Sequence, residues 1–511
     1  MNDKLVTLII MDGVGMPKAD KLDISGVLPE NTPYLQALAT KYPCGVLEAS
    51  GEAVGLSKNQ YGTSEVGHAT IGSGRVNFQP MVKINKDIEN GSFFNNKAFL
   101  HAIENAKKKN KALHLMGIVS DGGVHSHIDH LIALLKLAKK QGLEKVYVHF
   151  ISDGRDTPPK SMFVYYDAVE KAIKEFGVGE IVDVCGRFYA LDRDNNWDRV
   201  QIFYDAVVNG KAKTATDLKK AVKQAYNYGE TDEFLKPIIK VDKNGKYAGK
   251  IAEYDSVIIF NYRADRGRQL AKVFVDGNGI EWARKLHLTL VTMTNFDEKL
   301  NDVVIAYSDE KPTNILSEVL SKKGYKQYKI AETEKFAHLT FFFNSGRQTP
   351  FKNEKQVLIA SEKLKTYDVK PEMSAEKIAK SAVEAIKSGE FQTIFINFAN
   401  GDMVGHSGNL DASRIAVGVV DECVKKVTEA TKKCGGVTII TADHGNCDLM
   451  RYPNGEPHKS HTMALVPVII VKEGLRPQPK EIRGTLADIA PTILNFLGEK
   501  IPKEMTGKTL I

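Results

Sequence analysis

The sequence predicts an α/β protein of two layered domains, one assembled from both chain ends and the other inserted into it. Three observations predict this. From about residue 80, apolar runs of strand length alternate with longer amphipathic stretches, the rhythm of βαβ units. Three apolar runs far apart in the chain each lead to an aspartate, at Asp12, Asp402 and Asp443. The region between the first and the other two ends its strands on arginine instead. A chain of 511 residues also exceeds the usual size of one domain. The expected division is residues 1–78 with 311–511, and an insertion over 79–310.

Composition narrows the class. With 42% hydrophobic and 26% charged residues, the chain reads as an ordinary soluble enzyme. Lys plus Arg total 70 against 63 for Asp plus Glu, giving +7, which is mild over this length. It does not imply nucleic acid but suits an anionic small-molecule substrate. The five cysteines, Cys44, Cys185, Cys423, Cys434 and Cys447, have no CxxC spacing, against a disulfide framework or a zinc ribbon. The N-terminal apolar run is too short for a signal peptide, and no stretch approaches 18 apolar residues. The expectation is a cytoplasmic protein with no membrane contact.

The first strand is expected over Leu5 to Met11, ending at Asp12-Gly13. Gly13 and Gly15 resemble the start of a dinucleotide fingerprint, but Lys18 replaces its third glycine. Asn31-Thr-Pro33 opens a helix to about Lys41. The Gly- and hydroxyl-rich stretch from Gln60 to Arg75 places Ser64 where it can cap a helix, whose N-terminus attracts phosphate. Strands follow over Ala112 to Val119, Val146 to Ile151, Ile181 to Val184, Val257 to Phe260 and His287 to Thr294. Helices are expected from Ile128, from Pro159, around 197–209 and 214–227, and from Arg266. Pro312 opens a further helix. Strands then run over Lys329 to Ala331, Leu339 to Phe343, Val357 to Ala360, Thr393 to Phe398, Val437 to Thr441 and Val466 to Val471.

Each strand-end aspartate has a histidine within reach. His406 lies four residues after Asp402, one helical turn, so both can share a face. His444 adjoins Asp443, and His461 follows. Mixed imidazole and carboxylate ligands suit Zn²⁺ or Mn²⁺. Six such residues give each of two ions at least three ligands. In the insertion, strand ends lead to Arg155-Asp156, to Arg187 with Arg193 beyond it, and to Arg263 and Arg266. Guanidinium forks clamp phosphate and carboxylate in fixed geometry, so the insertion is expected to bind an anion. His125-Ser-His127-Ile-Asp129-His130 fits the HxHxDH pattern of metallo-β-lactamase-like hydrolases. That motif needs further histidines at later strand ends, and His149 and His287 are poorly placed. A helix start with one or two substrate-facing histidines is the preferred reading. Cys447 has no basic neighbour in sequence and reads as a buried small residue.

Asp12-Gly, Thr63-Ser64-Glu-Val-Gly-His68, Gly401-Asp-Met-Val-Gly-His406, Thr441-Ala-Asp-His-Gly-Asn446 and Ser460-His461-Thr together resemble the cofactor-independent phosphoglycerate mutases of the alkaline phosphatase superfamily. The resemblance continues through the insertion, in Ser120-Asp-Gly-Gly-Val-His-Ser-His127, Asp153-Gly-Arg-Asp156, Asp192-Arg-Asp-Asn195, Asn261-Tyr-Arg-Ala-Asp-Arg266 and Ala331-Glu-Thr-Glu-Lys335-Phe. Two positions depart from it, Thr63 for an expected Asn and Asn196 where Arg is frequent.

The resemblance implies an alkaline-phosphatase-like three-layer metal domain, with a phosphoglycerate-binding domain inserted. It implies a monomer that interconverts 3-phosphoglycerate and 2-phosphoglycerate in glycolysis and gluconeogenesis without added bisphosphoglycerate. Two divalent ions are implied, Mn²⁺ first: one held by Asp402, His406 and His461, the other by Asp12, Ser64, Asp443 and His444. Ser64 is the implied nucleophile. His125, Arg155, Asp156, Arg187, Arg193, Arg263, Arg266 and Lys335 are the implied substrate contacts. A metal-favoured alkoxide and a cationic surround suit phosphoryl transfer. Asp156 is the expected acid or base on the glycerate hydroxyls. Excluding water from phosphoserine calls for closure of the insertion, with hinges expected near 76–80 and 308–312. A phosphohydrolase on the same scaffold is the alternative, and its product would be free phosphate. An anion-binding protein with an inactive lobe is a third reading, but it would lack a ligand or the nucleophile.

Overall fold

The computed structural model describes residues 4–275, 280–284, 286–308 and 311–511. The chain forms two compact units, Met1–Gln79 with Lys311–Ile511, and Pro80–Glu310. Residues 309 and 310, inside the expected 308–312 hinge, lie outside the described residues.

The strands of the described residues, in chain order, begin with β1 (Val6–Met11), β2 (Cys44–Glu48), β3 (Leu113–Ile118), β4 (Val146–Ser152), β5 (Glu180–Gly186) and β6 (Lys213–Ala215). Next come β7 (Ile238–Lys240), β8 (Ser256–Ile259), β9 (Thr289–Thr292), β10 (Val303–Ile305) and β11 (Gln327–Glu332). The last are β12 (Glu354–Ile359), β13 (Thr393–Phe398), β14 (Val437–Thr441), β15 (Val466–Val471) and β16 (Ile482–Thr485).

In the first unit the sheet order is β12-β11-β13-β1-β14-β15-β2-β16. Every residue of β1, β11, β13 and β14 is buried. That is the pattern of parallel strands covered on both faces, and it explains their near-continuous apolar sequences. These four strands are parallel neighbours, with Ile10 level with both Asn397 and Thr441. Their carboxyl ends therefore finish together, and Asp12 and Asp443 follow directly. The helix Leu410–Lys433 packs on the helix Ala375–Ser388 and on β1 and β14. It buries Ala416, Val417, Val420, Val424 and Val427, an i, i+3, i+4 stripe, and Asn409 caps it by accepting from the Ala412 N–H.

The second unit has its own sheet, β10-β9-β8-β3-β4-β5-β7-β6, and its own cores. Here too β8, β3, β4 and β5 are parallel neighbours.

Four expectations shift. Leu339–Phe343 is not a strand: His338–Phe342 forms a wide helical turn continuing the helix Thr333–Ala337. A short apolar run suits either state, and packing against the helix Ser64–Ser73 decides it. The helix expected from Pro312 starts at Leu316, since Asn314 has φ +53° and cannot sit in a helix. The helix expected from 214 starts at Leu218, where Asp217 caps it, and the residues before it form β6. The strands β2, β7, β10 and β16 lie outside the runs that the sequence marks as strands.

Candidate active site

The carboxyl ends of β11, β13, β1 and β14 deliver the chemistry of the first unit, as expected where parallel strands end. Asp12 follows β1 and Asp443 follows β14. Asp402 lies in the short helix Asn400–Gly405 after β13, and Lys335 in the helix Thr333–Ala337 after β11. Ser64 is the first residue of the helix Ser64–Ser73, which Thr63 caps by accepting from the Val66 N–H. Gly13 makes the approach possible: its φ is +73°, and a Cβ there would stand 2.6 Å from the Asp402 Cα.

Two ligand clusters result, Asp402 with His406 and His461, and Asp12 with Asp443 and His444. The first borders solvent and the second is fully buried. Between them, Lys335 Nζ donates to Ser64 Oγ at 2.6 Å and to Asp402 Oδ2 at 2.7 Å, and lies 2.6 Å from Asp12 Oδ1. Ser64 Oγ is also 2.9 Å from His444 Nε2 and 3.3 Å from Asp12 Oδ1. Asn446 Nδ2 donates to Asp402 Oδ1 at 2.8 Å.

These residues fit divalent cations on three counts. Asp12, Asp402 and Asp443 are buried, and Lys335 is the cation they share, so two negative charges lack compensation. Buried charge in that state is costly unless cations complete it. His406 Nδ1 faces the Lys459 carbonyl and His461 Nδ1 the Gly62 carbonyl, each at 2.7 Å. Carbonyls only accept, so each Nδ1 carries a hydrogen and each Nε2 is turned inward, the two standing 3.2 Å apart and each 3.2 Å from Asp402 Oδ1. Two imidazole nitrogens and a carboxylate oxygen converging at these distances are a donor set that suits a divalent cation. Third, Asp443 Oδ2 is buried with no hydrogen bond.

Electrostatics follow from this crowding. Burial works against the Lys335 charge, but Asp12, Asp402 and Asp443 outweigh it and hold the ammonium well above lysine's usual range. Burial, with Asp443 and Asp402 nearby, pushes Asp12 up. Burial opposes ionisation of Asp402 too, but Lys335, His406 and His461 hold it well below the usual carboxylate range. Burial also pushes the Cys447 thiol well up, so it is no nucleophile.

The second unit gathers its predicted residues at the ends of β8, β3, β4 and β5. Arg187, buried at 1% exposure, donates to Asp153 Oδ1 at 2.7 Å and to Asp156 Oδ2. Arg266 donates to the Leu191 carbonyl at 3.0 Å. Asp265 lies 3.3 Å from both Arg193 and Arg263 and 3.4 Å from His125 Nδ1. Arg155 is half exposed and turned toward Glu233 at 3.5 Å. Burial, then Arg187, Arg193 and Arg155, lower the Arg266 pKa. A bound anion would offset that repulsion. Burial, aided by Arg187 and Arg266, brings His125 down to about 4, so its imidazole is neutral at neutral pH. The HxHxDH stretch forms no metal cluster among the described residues. His127 caps the helix Ile128–Lys140, His130 is buried against Asn85, and His149 pairs with His114.

Reading residues one strand end at a time misses Asp153, Asp192 and Asp265, which hold the arginines. Asp192 accepts from Asn196, Arg199 and Gln269 and orders the loop bearing Arg193. It also misses His68 and Asn397 behind the buried cluster of Asp12, Asp443 and His444. The one available signal is that His68 falls a helical turn after Ser64.

Fold and site together define a class: an α/β enzyme with paired metal-ligand clusters around a buried serine and lysine. Residues 84–298 match the family described as BPG-independent PGAM N-terminus. A 2,3-bisphosphoglycerate-independent phosphoglycerate mutase of Clostridium novyi is 46% identical over 512 residues, covering 100% of both chains. One from Methanosarcina barkeri is 46% identical over 516 residues, covering 99% of this chain and 98% of its own. The crystal structure of Leishmania mexicana phosphoglycerate mutase at low cobalt concentration is 31% identical. It aligns with a TM-score of 0.52 over 99% of this chain and 97% of that one. The chain belongs to the 2,3-bisphosphoglycerate-independent phosphoglycerate mutase family, and it is an isomerase.

Proposed function

We propose that the chain interconverts 3-phosphoglycerate and 2-phosphoglycerate, the step its family carries out in glycolysis, through phosphoserine at Ser64. The observation that carries the phosphoserine step is the placing of Ser64 Oγ, within 2.6 Å of Lys335 Nζ and between two clusters suited to divalent ions.

Asp402, His406 and His461 would hold one ion, and Asp12, Ser64, Asp443 and His444 the other, with Mn²⁺ our choice for both. Bound there, divalent ions supply the positive charge that favours the serine alkoxide and offsets phosphate charge. Ser64 Oγ, its proton released to solvent beforehand, attacks phosphorus in line; the Ser64–phosphate bond forms as the bond to the glycerate oxygen breaks. Lys335 Nζ, 2.6 Å from Ser64 Oγ, stabilises charge on the oxygens being exchanged. Asp156 supplies the proton to the departing glycerate oxygen. Glycerate then turns while Arg155, Arg187, Arg193, Arg263, Arg266 and His125 retain it. Asp156 takes the proton from the other hydroxyl, whose oxygen accepts the phosphoryl group and frees Ser64. The phosphoryl group stays on the enzyme between the two steps, so no bisphosphoglycerate is consumed. In our reading the enzyme acts as a monomer in the cytoplasm; among the described residues no helix is long and apolar enough to cross a membrane.

A mutase assay without added bisphosphoglycerate, run before and after chelation and again with Mn²⁺ restored, tests this. Activity should vanish with the metal and return with it, and Ser64→Ala should abolish it throughout. Activity untouched by thorough metal removal would overturn the dinuclear proposal. Release of free phosphate without 2-phosphoglycerate would make the chain a phosphohydrolase.

A further inference from the structure

His68 and Asn397 are fully buried behind the cluster of Asp12, Asp443 and His444, and their hydrogens can be counted. His68 lies one helical turn after Ser64, and its Nδ1 is 2.8 Å from the Ser64 carbonyl oxygen. A carbonyl only accepts, so Nδ1 carries the hydrogen and Nε2 the lone pair. Nε2 therefore accepts from Asn397 Nδ2 at 3.0 Å. The second hydrogen of that amide goes to Asp12 Oδ2 at 2.7 Å. Reversing the amide would set its carbonyl oxygen against the Asp12 carboxylate, so this one orientation satisfies both neighbours. With Oδ2 held, Asp12 turns Oδ1 toward Ser64 Oγ and Lys335 Nζ. His68 Nδ1 also lies 3.2 Å from Asp443 Oδ2, an oxygen with no hydrogen bond.

We propose that His68 and Asn397 are positioning residues, a buried clamp running from the Ser64 carbonyl through His68 and Asn397 to Asp12. The clamp fixes which Asp12 oxygen meets Ser64 and thereby sets the ion affinity of the Asp12, Asp443 and His444 cluster alone. The inference rests on reading that cluster as a metal site. Neither residue donates an atom to an ion or to substrate; they act through the residues that do, as outer partners of metal ligands do.

The test counts Mn²⁺ ions bound per chain at equilibrium, with free Mn²⁺ followed by electron paramagnetic resonance. Wild type should bind two. Asn397→Leu, of similar size but without the amide, should keep one ion at unchanged affinity and bind the other about 10–100-fold more weakly. Its kcat should fall while KM for 3-phosphoglycerate stays within about twofold, since the proposed substrate contacts lie elsewhere. Two ions bound by Asn397→Leu with wild-type affinity, or equal weakening of both, would overturn the clamp and leave the metal centre standing. Fewer than two ions in wild type would overturn the metal centre itself and the clamp with it. If Asn397→Leu does not fold, the histidine ¹⁵N spectrum of wild type decides. His68 should carry a hydrogen on Nδ1 and none on Nε2, with and without Zn²⁺, and a hydrogen on Nε2 would refute the clamp.

Discussion

Lys335 donates to Ser64 and Asp402 and lies 2.6 Å from Asp12, so one ammonium serves the proposed nucleophile and both candidate ligand clusters. Lys335→Met is expected to lower kcat by about 10²–10³-fold, the scale of losing one charged donor at a transition state, with KM changed less. Steady-state kinetics at saturating Mn²⁺ check it. Gly13→Ala forces a side chain onto a φ of +73° and into the Asp402 backbone. It is expected to destabilise the first unit by about 2 kcal/mol or more and to weaken Mn²⁺ binding, read by thermal melts and ion titration. Asp12, Asp402 and Asp443 are legible in the sequence because each ends an apolar run, so its place follows from local pattern. Lys335 is not legible that way. Its partners Ser64 and Asp402 are 271 and 67 residues distant, and it follows a strand whose end looks like many others. The family resemblance names it; periodicity does not.

At the scale of elements, the buried inner strands of the first sheet are the most legible. Thr393–Phe398, Val437–Thr441 and Val466–Val471 are apolar runs with clear ends, and their expected bounds coincide with β13, β14 and β15. Edge strands are harder. β16, Ile-Arg-Gly-Thr, has one apolar residue because little of it is buried, so no pattern marks it. Leu339–Phe343 fails differently, since a packing partner far away in sequence chooses between two states its residues allow. The helix Ile128–Lys140 carries an acid-sensitive group. His130 is buried with Nε2 at 2.8 Å from Asn85 Oδ1, and burial, with His127 nearby, lowers its pKa to about 3. An unfolded histidine takes its proton near 6.5. Its contribution to stability is therefore whole above pH 6.5. It is lost as pH falls toward 3, at about 1.4 kcal/mol per pH unit. Both tryptophans, Trp197 and Trp282, lie in the second unit. Urea unfolding followed by their fluorescence should weaken between pH 7 and 5, and less so in His130→Leu. Equal slopes in the two proteins would contradict this.

Across the whole molecule, the arrangement is two layered units, each bringing chemistry to the ends of four parallel neighbouring strands. One gathers carboxylates, imidazoles and a lysine; the other gathers arginines. The chain order explains why the sequence shows this division: ligands of one cluster, Asp12 and Asp443, stand on either side of the arginine-bearing stretch. Ion binding should also stabilise the first unit. At a free concentration of 100 Kd one ion contributes about 2.7 kcal/mol. Chelation should accordingly raise amide hydrogen exchange in peptides containing Asp12, Ser64 and Asp443, and unchanged exchange would argue against ions held there. The proposed intermediate that joins the two half-reactions is a phosphoryl group carried on Ser64. Rapid quenching of the Mn²⁺-loaded enzyme with 3-[³²P]phosphoglycerate, followed by peptide mapping, tests it most directly. Label on the Ser64 peptide is expected to form and decay at the rate of turnover, with little free phosphate. Full turnover to 2-phosphoglycerate with no label on Ser64 at any quench time would contradict it.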